Sequence, residues 1–396
     1  MNDIFIQRKV NIPDQVRIQR YQRLPELGPN ILFFSGGTAL NNVSKEVKNY
    51  THNSTHLITT FDSGGSSAKL RKAFNMPAIG DLRSRLMALA DDSFMGHHEV
   101  YSLFSHRLES DCSQQYLIKQ IQQIIDGKHS LIIKIPNPMR KLIKNQLVYF
   151  QQKMPEDFDL RGASIGNLIL AGGYLNNQRQ LDPIIFLFSK LVGVKGTVQS
   201  IVNDNLHLSA QLENQQILVG QHKFTGKEVP PITSPIKKLL LINKTDKKQR
   251  VKVKITKAAH RLITQSELIC YPPGSFYSSL IANLLPHDVG KAIANNSCAK
   301  VYIPNLGHDP EQLGMSLNST VTTLLYYLHS NAPNHRDQDF INFILYDSQR
   351  ANYDSQLSAK LMQEKGIQII DCKLISKQSY PYYDAKLLTY ALLSLT

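Results

Sequence analysis

Two carboxylates, Asp62 and Asp81, stand in small-residue turns that read TFDSGGSS and IGDLRSRL. Carboxylates at such turns could hold a hydrated magnesium ion against a diphosphate, or one of them could activate an attacking hydroxyl. A third turn precedes them. The apolar run Ile31-Leu32-Phe33-Phe34 leads into Gly36, Gly37 and Thr38, whose backbone amides could meet a phosphate without side-chain obstruction. Gly64, Gly65 and Ser66 follow the second apolar run in the same way, beside Asp62. A fourth turn, with Pro273, Gly274 and Ser275, follows the apolar Leu268-Ile269-Cys270. Arg71, Arg83 and Arg85 are candidates for anion contact, since arginine can bind a phosphate through two donors at once.

Each of these residues has a plainer reading. Asp81 could cap a helix beginning near Leu82, and Asp62 could cap through the turn that follows it. The chain has no GxGxxG and no GxxxxGK[ST], so neither a standard dinucleotide fingerprint nor a Walker loop is present. Ser275 lacks the GxSxG elbow of a serine hydrolase and reads as a phosphate-facing or helix-capping hydroxyl. His97, His98, Glu99 and His106 lack HExxH spacing and read as surface residues. Cys112, Cys270, Cys298 and Cys372 show no CxxC spacing and read as buried free thiols in a reducing compartment.

These turns need a scaffold of strands opening into helices. Between Asn30 and about Leu89, and again from Leu268 onward, apolar strands alternate with helical patterns, which predicts an α/β fold: a Rossmann-like, doubly wound, mostly parallel sheet. In that architecture ligands bind outside the carboxyl ends of the strands, so Gly36, Asp62 and Pro273 are expected to converge. Residues 1–29 read as a basic, turn-rich N-terminal arm on the surface. The first part of the core spans 30–194, including a helical cover in which YSLFSHRL and QQYLIKQIQQII carry apolar residues at three- and four-residue spacings. Ser164 reads as the N-cap of a helix through SIGNLILAGGYL. A β-rich insertion spans 195–260, beginning at GTVQSIV, and the second part of the core spans 261–396.

The 396 residues carry a formal net charge of +14, with nine basic residues against one acid between Lys237 and Lys257. LLLINKTDKKQRVKVKIT reads as a hairpin with Val251, Val253 and Ile255 inward and Lys252 and Lys254 in water, a charged edge that discourages sheet aggregation. No aromatic residues interleave these lysines, which argues against a nucleic-acid partner, although such binding through this insertion stays open as an alternative. No apolar run reaches the roughly 18 residues of a membrane span, and MNDIFIQRKVNIPDQ lacks a secretory core, so a cytoplasmic protein without membrane contact is expected. A homo-oligomer is left open.

The ordered blocks resemble the family of 2-phospho-L-lactate transferases and related gluconeogenesis factors, the CofD-like and YvcK-like proteins. GGTAL is similar to the family's GGTGL, FDSGGSSAKLR to ADDGGSSGRLR, and IGDLRSRLMALAD to PGDIRNCLVALAD. SIGNLILAGG is similar to SFGNLLIAA, and YPPGSFYSSLIANLL to GPGSLYTSVIPNLL, so the resemblance runs from about Ile31 to Gly307. It implies a Rossmann-like core and a nucleotide diphosphate conjugate as ligand. Gly36, Gly37, Thr38, Asn167, Gly274 and Ser275 would surround the nucleotide, and Asp62 and Asp81 would serve magnesium or the acceptor hydroxyl. The transferases pass a phospholactate-type group to a deazaflavin alcohol; the gluconeogenesis factors bind uridine-diphosphate sugars and are regulatory. GGSSAKLR and PPGSFYSSL side with the latter, leaving a regulatory or transferase outcome, with a genuine deazaflavin transferase as an alternative. Three departures bear on ligand fit: Ala39 stands for a family glycine, Ser63 for a second aspartate, and Tyr271 for the glycine before the prolines.

Overall fold

A computed structural model describes residues 9–93, 96–243 and 250–396 of the chain. In chain order its strands are β1 (Ile31–Ser35), β2 (Thr55–Ile58), β3 (Thr197–Ser200), β4 (His207–Leu212), β5 (Ile217–Val219), β6 (Ile236–Ile242), β7 (Leu268–Tyr271), β8 (Ala299–Tyr302), β9 (Phe343–Tyr346) and β10 (Gln368–Asp371). Seven form one sheet in the order β10-β9-β8-β7-β1-β2-β3, and every neighbouring pair is parallel. From β1 the chain steps outward through β2 and β3, then returns to β7 on the other side of β1. The switch point therefore falls between β1 and β7, where the turns after both strands open into a common crevice.

The apolar composition of β1 explains its central position. All five of its residues are buried. Leu32 and Phe34 join one core layer with Leu57, Ile269 and Tyr271, whereas Ile31 and Phe33 join another with Leu268, Cys270 and Val301. A strand covered on both faces must be apolar throughout, and alternation then distributes its residues between two layers.

The expected helical cover is present, with helices at His98–Ser105, Gln114–Asp126, Met139–Lys153, Ile165–Asn176 and Asp182–Leu191 among its elements. They enclose a separate apolar cluster that includes Phe104, Phe150 and Phe188. Ser164 does occupy the N-cap position before Ile165, but its side chain makes no capping bond and its Oγ is buried without a partner among the described residues. Within the expected N-terminal arm, Gln15–Arg23 is helical and packs on the helix Ala385–Ser394, with the Asp14 amide bonded to Ser394 Oγ at 2.8 Å.

The β-rich insertion differs in one respect from the sequence reading. GTVQSIV supplies β3, the edge of the main sheet, and only β4, β5 and β6 form the antiparallel unit, in the order β5-β4-β6. Alternation marks a strand without naming its partner, so β3 looked like the strands that follow it. The centre of the expected basic hairpin, 244–249, lies outside the described residues. Val251, Val253 and Ile255 pack against the core, and Lys252 and Lys254 are exposed. Among the described residues no helix is long and apolar enough to cross a membrane.

Candidate functional site

Gly37, Thr38, Asp62, Gly64, Gly65, Ser66, Asp81 and Asn167 line one cleft of about 450 Å³ above the ends of β1 and β2. Pro273, Gly274 and Ser275 line a second, of about 480 Å³, on the β7 side, and Thr38 borders both. Gly36 sits beneath the junction with Pro273, Gly274 and Ser279. The switch point thus brings the sequence-selected turns to one crevice, but as two compartments.

The two adjacent glycines differ in their duties. A Cβ on Gly36 would lie 2.7 Å from Ser279 Oγ, so this glycine permits the turn to pack against the helix after β7. Gly37 has φ of +56°, and a Cβ there would meet nothing within 4 Å, because that direction opens into the cleft. Its carbonyl accepts a bond from Arg85 Nη2 at 3.3 Å, while Arg85 Nη1 donates to Ser44 Oγ. Burial lowers the Arg85 pKa to about 10, a shift resisted by the charge of Asp81.

Asp62 Oδ1 accepts from the Gly64 amide at 3.0 Å, so one carboxylate oxygen shapes the turn, as a capping role requires. Asp81 is not an N-cap: the helix begins at Gly80, and Asp81 lies in its first turn, facing the cleft. Burial and then the Asp62 charge raise the Asp81 carboxyl above its ordinary range, opposed by the Gly37 amide, Arg85 and Lys227. Asn167 is 1% exposed and donates to Ser66 Oγ at 3.1 Å, while its Oδ1 faces no donor among the described residues.

Of the three arginines selected for anion contact, only Arg83 lines the cleft. Arg71 is turned inward, where it donates to the carbonyls of Phe61, Asp62 and Leu206 and to Asn205 Oδ1. Arg85 supports the Gly37 turn from below. The other cleft cations, Arg107 and Lys227, were not apparent from sequence. Lys227 comes with Gln221, His222, Thr225 and Glu228 from the insertion, whose segment after β5 folds over the cleft. Ser63, at the family's second-aspartate position, bonds His222 Nδ1 at 2.8 Å and pins this segment.

The turn after β7 is already furnished with acceptors. Gly274 N donates to Asn305 Oδ1, Phe276 N to Asp309 Oδ2, and Tyr277 N and Ser278 N to Glu311 Oε2, all within 2.8 Å. These four amides are therefore committed to side chains. What Pro273, Gly274 and Ser275 offer the second cleft is its wall. The bulk of Tyr271 also falls elsewhere than expected: its ring stacks on Phe34 in the core and its hydroxyl donates to Phe340 O at 2.9 Å. Ala39, by contrast, does line the second cleft.

Lys238, Arg250 and Lys252 border a third groove of about 390 Å³ with His287 and Tyr326, which shares no lining residue with either crevice compartment. Lys244, Lys247 and Lys248 lie outside the described residues.

Comparison with known proteins agrees with the blocks recognised in the sequence and extends them. Over 384 residues the chain is 26% identical to a putative gluconeogenesis factor from Thermoanaerobacterium thermosulfurigenes, covering 93% of this chain and 97% of the relative. It is 26% identical over 321 residues to the gluconeogenesis factor of Bacillus subtilis, covering 81% and 79%. An uncharacterized protein of Saccharomyces cerevisiae, YNL011C, is 29% identical over 218 residues, which span 51% of this chain and 47% of the yeast protein. A solved structure of a UPF0052 family member from Bacillus halodurans shares the fold, with a TM-score of 0.67 at 22% identity over 92% of this chain and 99% of that one. The family model described as 2-phospho-L-lactate transferase CofD matches residues 31–388, reaching beyond Gly307, where the resemblance read from the sequence ends, and the chain belongs to this CofD family.

Proposed function

We propose that the chain binds a nucleotide diphosphate conjugate across the switch-point crevice and acts as a regulatory, metabolite-responsive member of its family. The observation that carries this reading is the cleft above β1 and β2: a positive-φ glycine with open space before it, two carboxylates, and Arg83, Arg107 and Lys227 along the same walls. The cations suit a diphosphate, and paired carboxylates suit a divalent ion that accompanies it. The relatives named gluconeogenesis factors, a name that specifies no catalysed reaction, support the regulatory outcome.

Asp62 and Asp81 would hold magnesium. The donor set fits, because the Asp81 carboxyl is held up partly by the Asp62 charge, a repulsion that a shared cation would relieve. Two carboxylates leave the remaining coordination positions to water and phosphate oxygens, as magnesium prefers. The ion would supply charge compensation for the diphosphate. Arg83, Arg107 and Lys227 would orient the conjugated group, and the Gly37 turn, supported by Arg85, would fix the phosphates.

One observation favours transfer as a second reading. Asp81 has a raised proton affinity when it holds no metal and faces the same cleft, so in this reading Asp62 would hold the ion and the Asp81 carboxylate could accept the proton of an acceptor hydroxyl. The hydroxyl oxygen would form a bond to the β-phosphorus, the bridge to the α-phosphate would break, and a nucleoside monophosphate would leave. Titration calorimetry with UDP-glucose and with a phospholactyl guanosine diphosphate, with and without magnesium, tests binding. Chromatography for released nucleoside monophosphate then separates the outcomes: saturable binding without release supports regulation, and release supports transfer. No binding of either conjugate would overturn the proposal.

A further inference from the structure

The two compartments of the crevice differ in chemistry. Asp62, Asp81, Arg83, Arg107, Lys227 and Glu228 make the first strongly charged. The second has walls of Ala39, Val43, Pro273 and Tyr382, and its acid, Asp309, is engaged by the Phe276 amide at 2.8 Å and Asn305 Nδ2 at 3.2 Å. Resting on the nucleotide-binding reading above, we propose that this second compartment takes the nucleobase, with the Tyr382 ring as its stacking platform. The diphosphate then crosses at Thr38, and the conjugated group lies among the charges of the first compartment.

A nucleobase is flat, uncharged and faced with π density, so it gains from an aromatic or apolar wall and gains little among paired charges. Tyr382 offers such a wall: it is 69% exposed although it lines a cavity of about 480 Å³, a size suited to a small-molecule site. Its neighbour Tyr383 is anchored, donating to Pro304 O at 2.8 Å and lying 3.2 Å from the Tyr353 hydroxyl, so the backbone presenting Tyr382 is held in place. Anchoring beside an exposed ring is what a preformed platform requires. Asn305 is excluded as a reader of the base edge, because its amide is committed to Gly274, Asp309 and Gln312. Asn42 and His308 remain on the lining as polar groups that could face the edge of the base.

The test compares UDP-glucose with inorganic pyrophosphate on wild type, Tyr382→Ala and Tyr382→Phe, each checked for an unchanged melting temperature. The expected result is a loss of about tenfold in UDP-glucose affinity for Tyr382→Ala, near wild-type affinity for Tyr382→Phe, and pyrophosphate binding unaffected in both. Unchanged UDP-glucose affinity in Tyr382→Ala would overturn the base assignment while leaving nucleotide binding intact. Equal losses for UDP-glucose and pyrophosphate would also overturn it, since the ring would then act on the phosphates or the fold. Absence of UDP-glucose binding by wild type would remove both this assignment and the reading on which it rests.

Discussion

The amide of Gly65 donates to Glu228 Oε1 at 2.7 Å, although the two residues are 163 positions apart. Gly65 opens the helix Gly65–Phe74, so a carboxylate from the insertion occupies the N-terminal end where an anionic ligand would gain from the helix dipole. Glu228 also faces Gly64, beside Asp62 Oδ1. It therefore adds negative charge to the compartment proposed to take the conjugated group, next to the diphosphate crossing at Thr38. Glu228→Gln is expected to tighten binding of UDP-glucose about three- to tenfold, a modest effect because the bond is exposed and screened. Calorimetry at low and high salt checks this. Weaker binding by the variant would mean that the carboxylate helps to form the site instead of competing for it.

Gly37 and Gly36 predict opposite phenotypes. Gly37→Val places a branched side chain in open space at φ of +56°, so it should block the approach of a phosphate to the turn at a folding cost of about 1–2 kcal/mol for the left-handed backbone. Gly36→Ala instead meets Ser279, and should lower the melting temperature by disturbing the helix after β7. Ligand affinity and thermal denaturation, measured on both variants, distinguish a phosphate turn from a packing turn. A folded Gly37→Val protein that binds normally would leave the turn with no part in ligand contact.

Asp62→Asn keeps an oxygen for the Gly64 amide and removes the charge, so the turn should survive. Magnesium-dependent UDP-glucose affinity is expected to fall at least tenfold, with a change in unfolding free energy below about 1 kcal/mol. Magnesium titrations at fixed ligand give the comparison. The same magnesium dependence in wild type and variant would assign Asp62 to turn structure alone.

The crevice was legible in sequence because its framework is written locally. Ile31 to Phe34 is apolar enough to demand burial on both faces, and the glycines after it mark a turn, so the switch-point strand and its glycine turn follow from a few adjacent residues. Glu228 and Lys227 were not legible. They lie in an exposed segment without periodicity, and their place over Asp62 depends on how β4, β5 and β6 pack on the main core. The same holds for Asp309 and Glu311: nothing near the turn after β7 announces that side chains some 30 residues later will take its amides. Tyr271 was misjudged because strand alternation leaves the face of its last residue open until the neighbouring Phe34 and Phe340 are placed.

Glu311 gives the fold a calculable response to pH. It is 1% exposed, and burial, followed by the charge of Asp309, pushes its pKa up to about 8 from an ordinary 4.5. Between these values the folded chain holds a proton that the unfolded chain has released. Its contribution to stability is therefore full below pH 4.5 and is lost as pH rises through about 8. Asp309, also raised, acts in the same direction. In Glu311→Gln the amide oxygen can still accept from Tyr277 N and Ser278 N, and its NH2 can donate to Ser278 Oγ, which lies 2.5 Å from Oε1 in the native chain. The variant should resemble wild type near pH 5 and exceed its stability at pH 8.5, with a gap on the order of several kcal/mol at most. Urea denaturation of both proteins across this range measures the gap, and subtraction cancels buried groups such as His56, whose lowered pKa is common to both. A variant that loses stability equally at both pH values would show that the carboxyl is needed in its ionised form at the turn after β7.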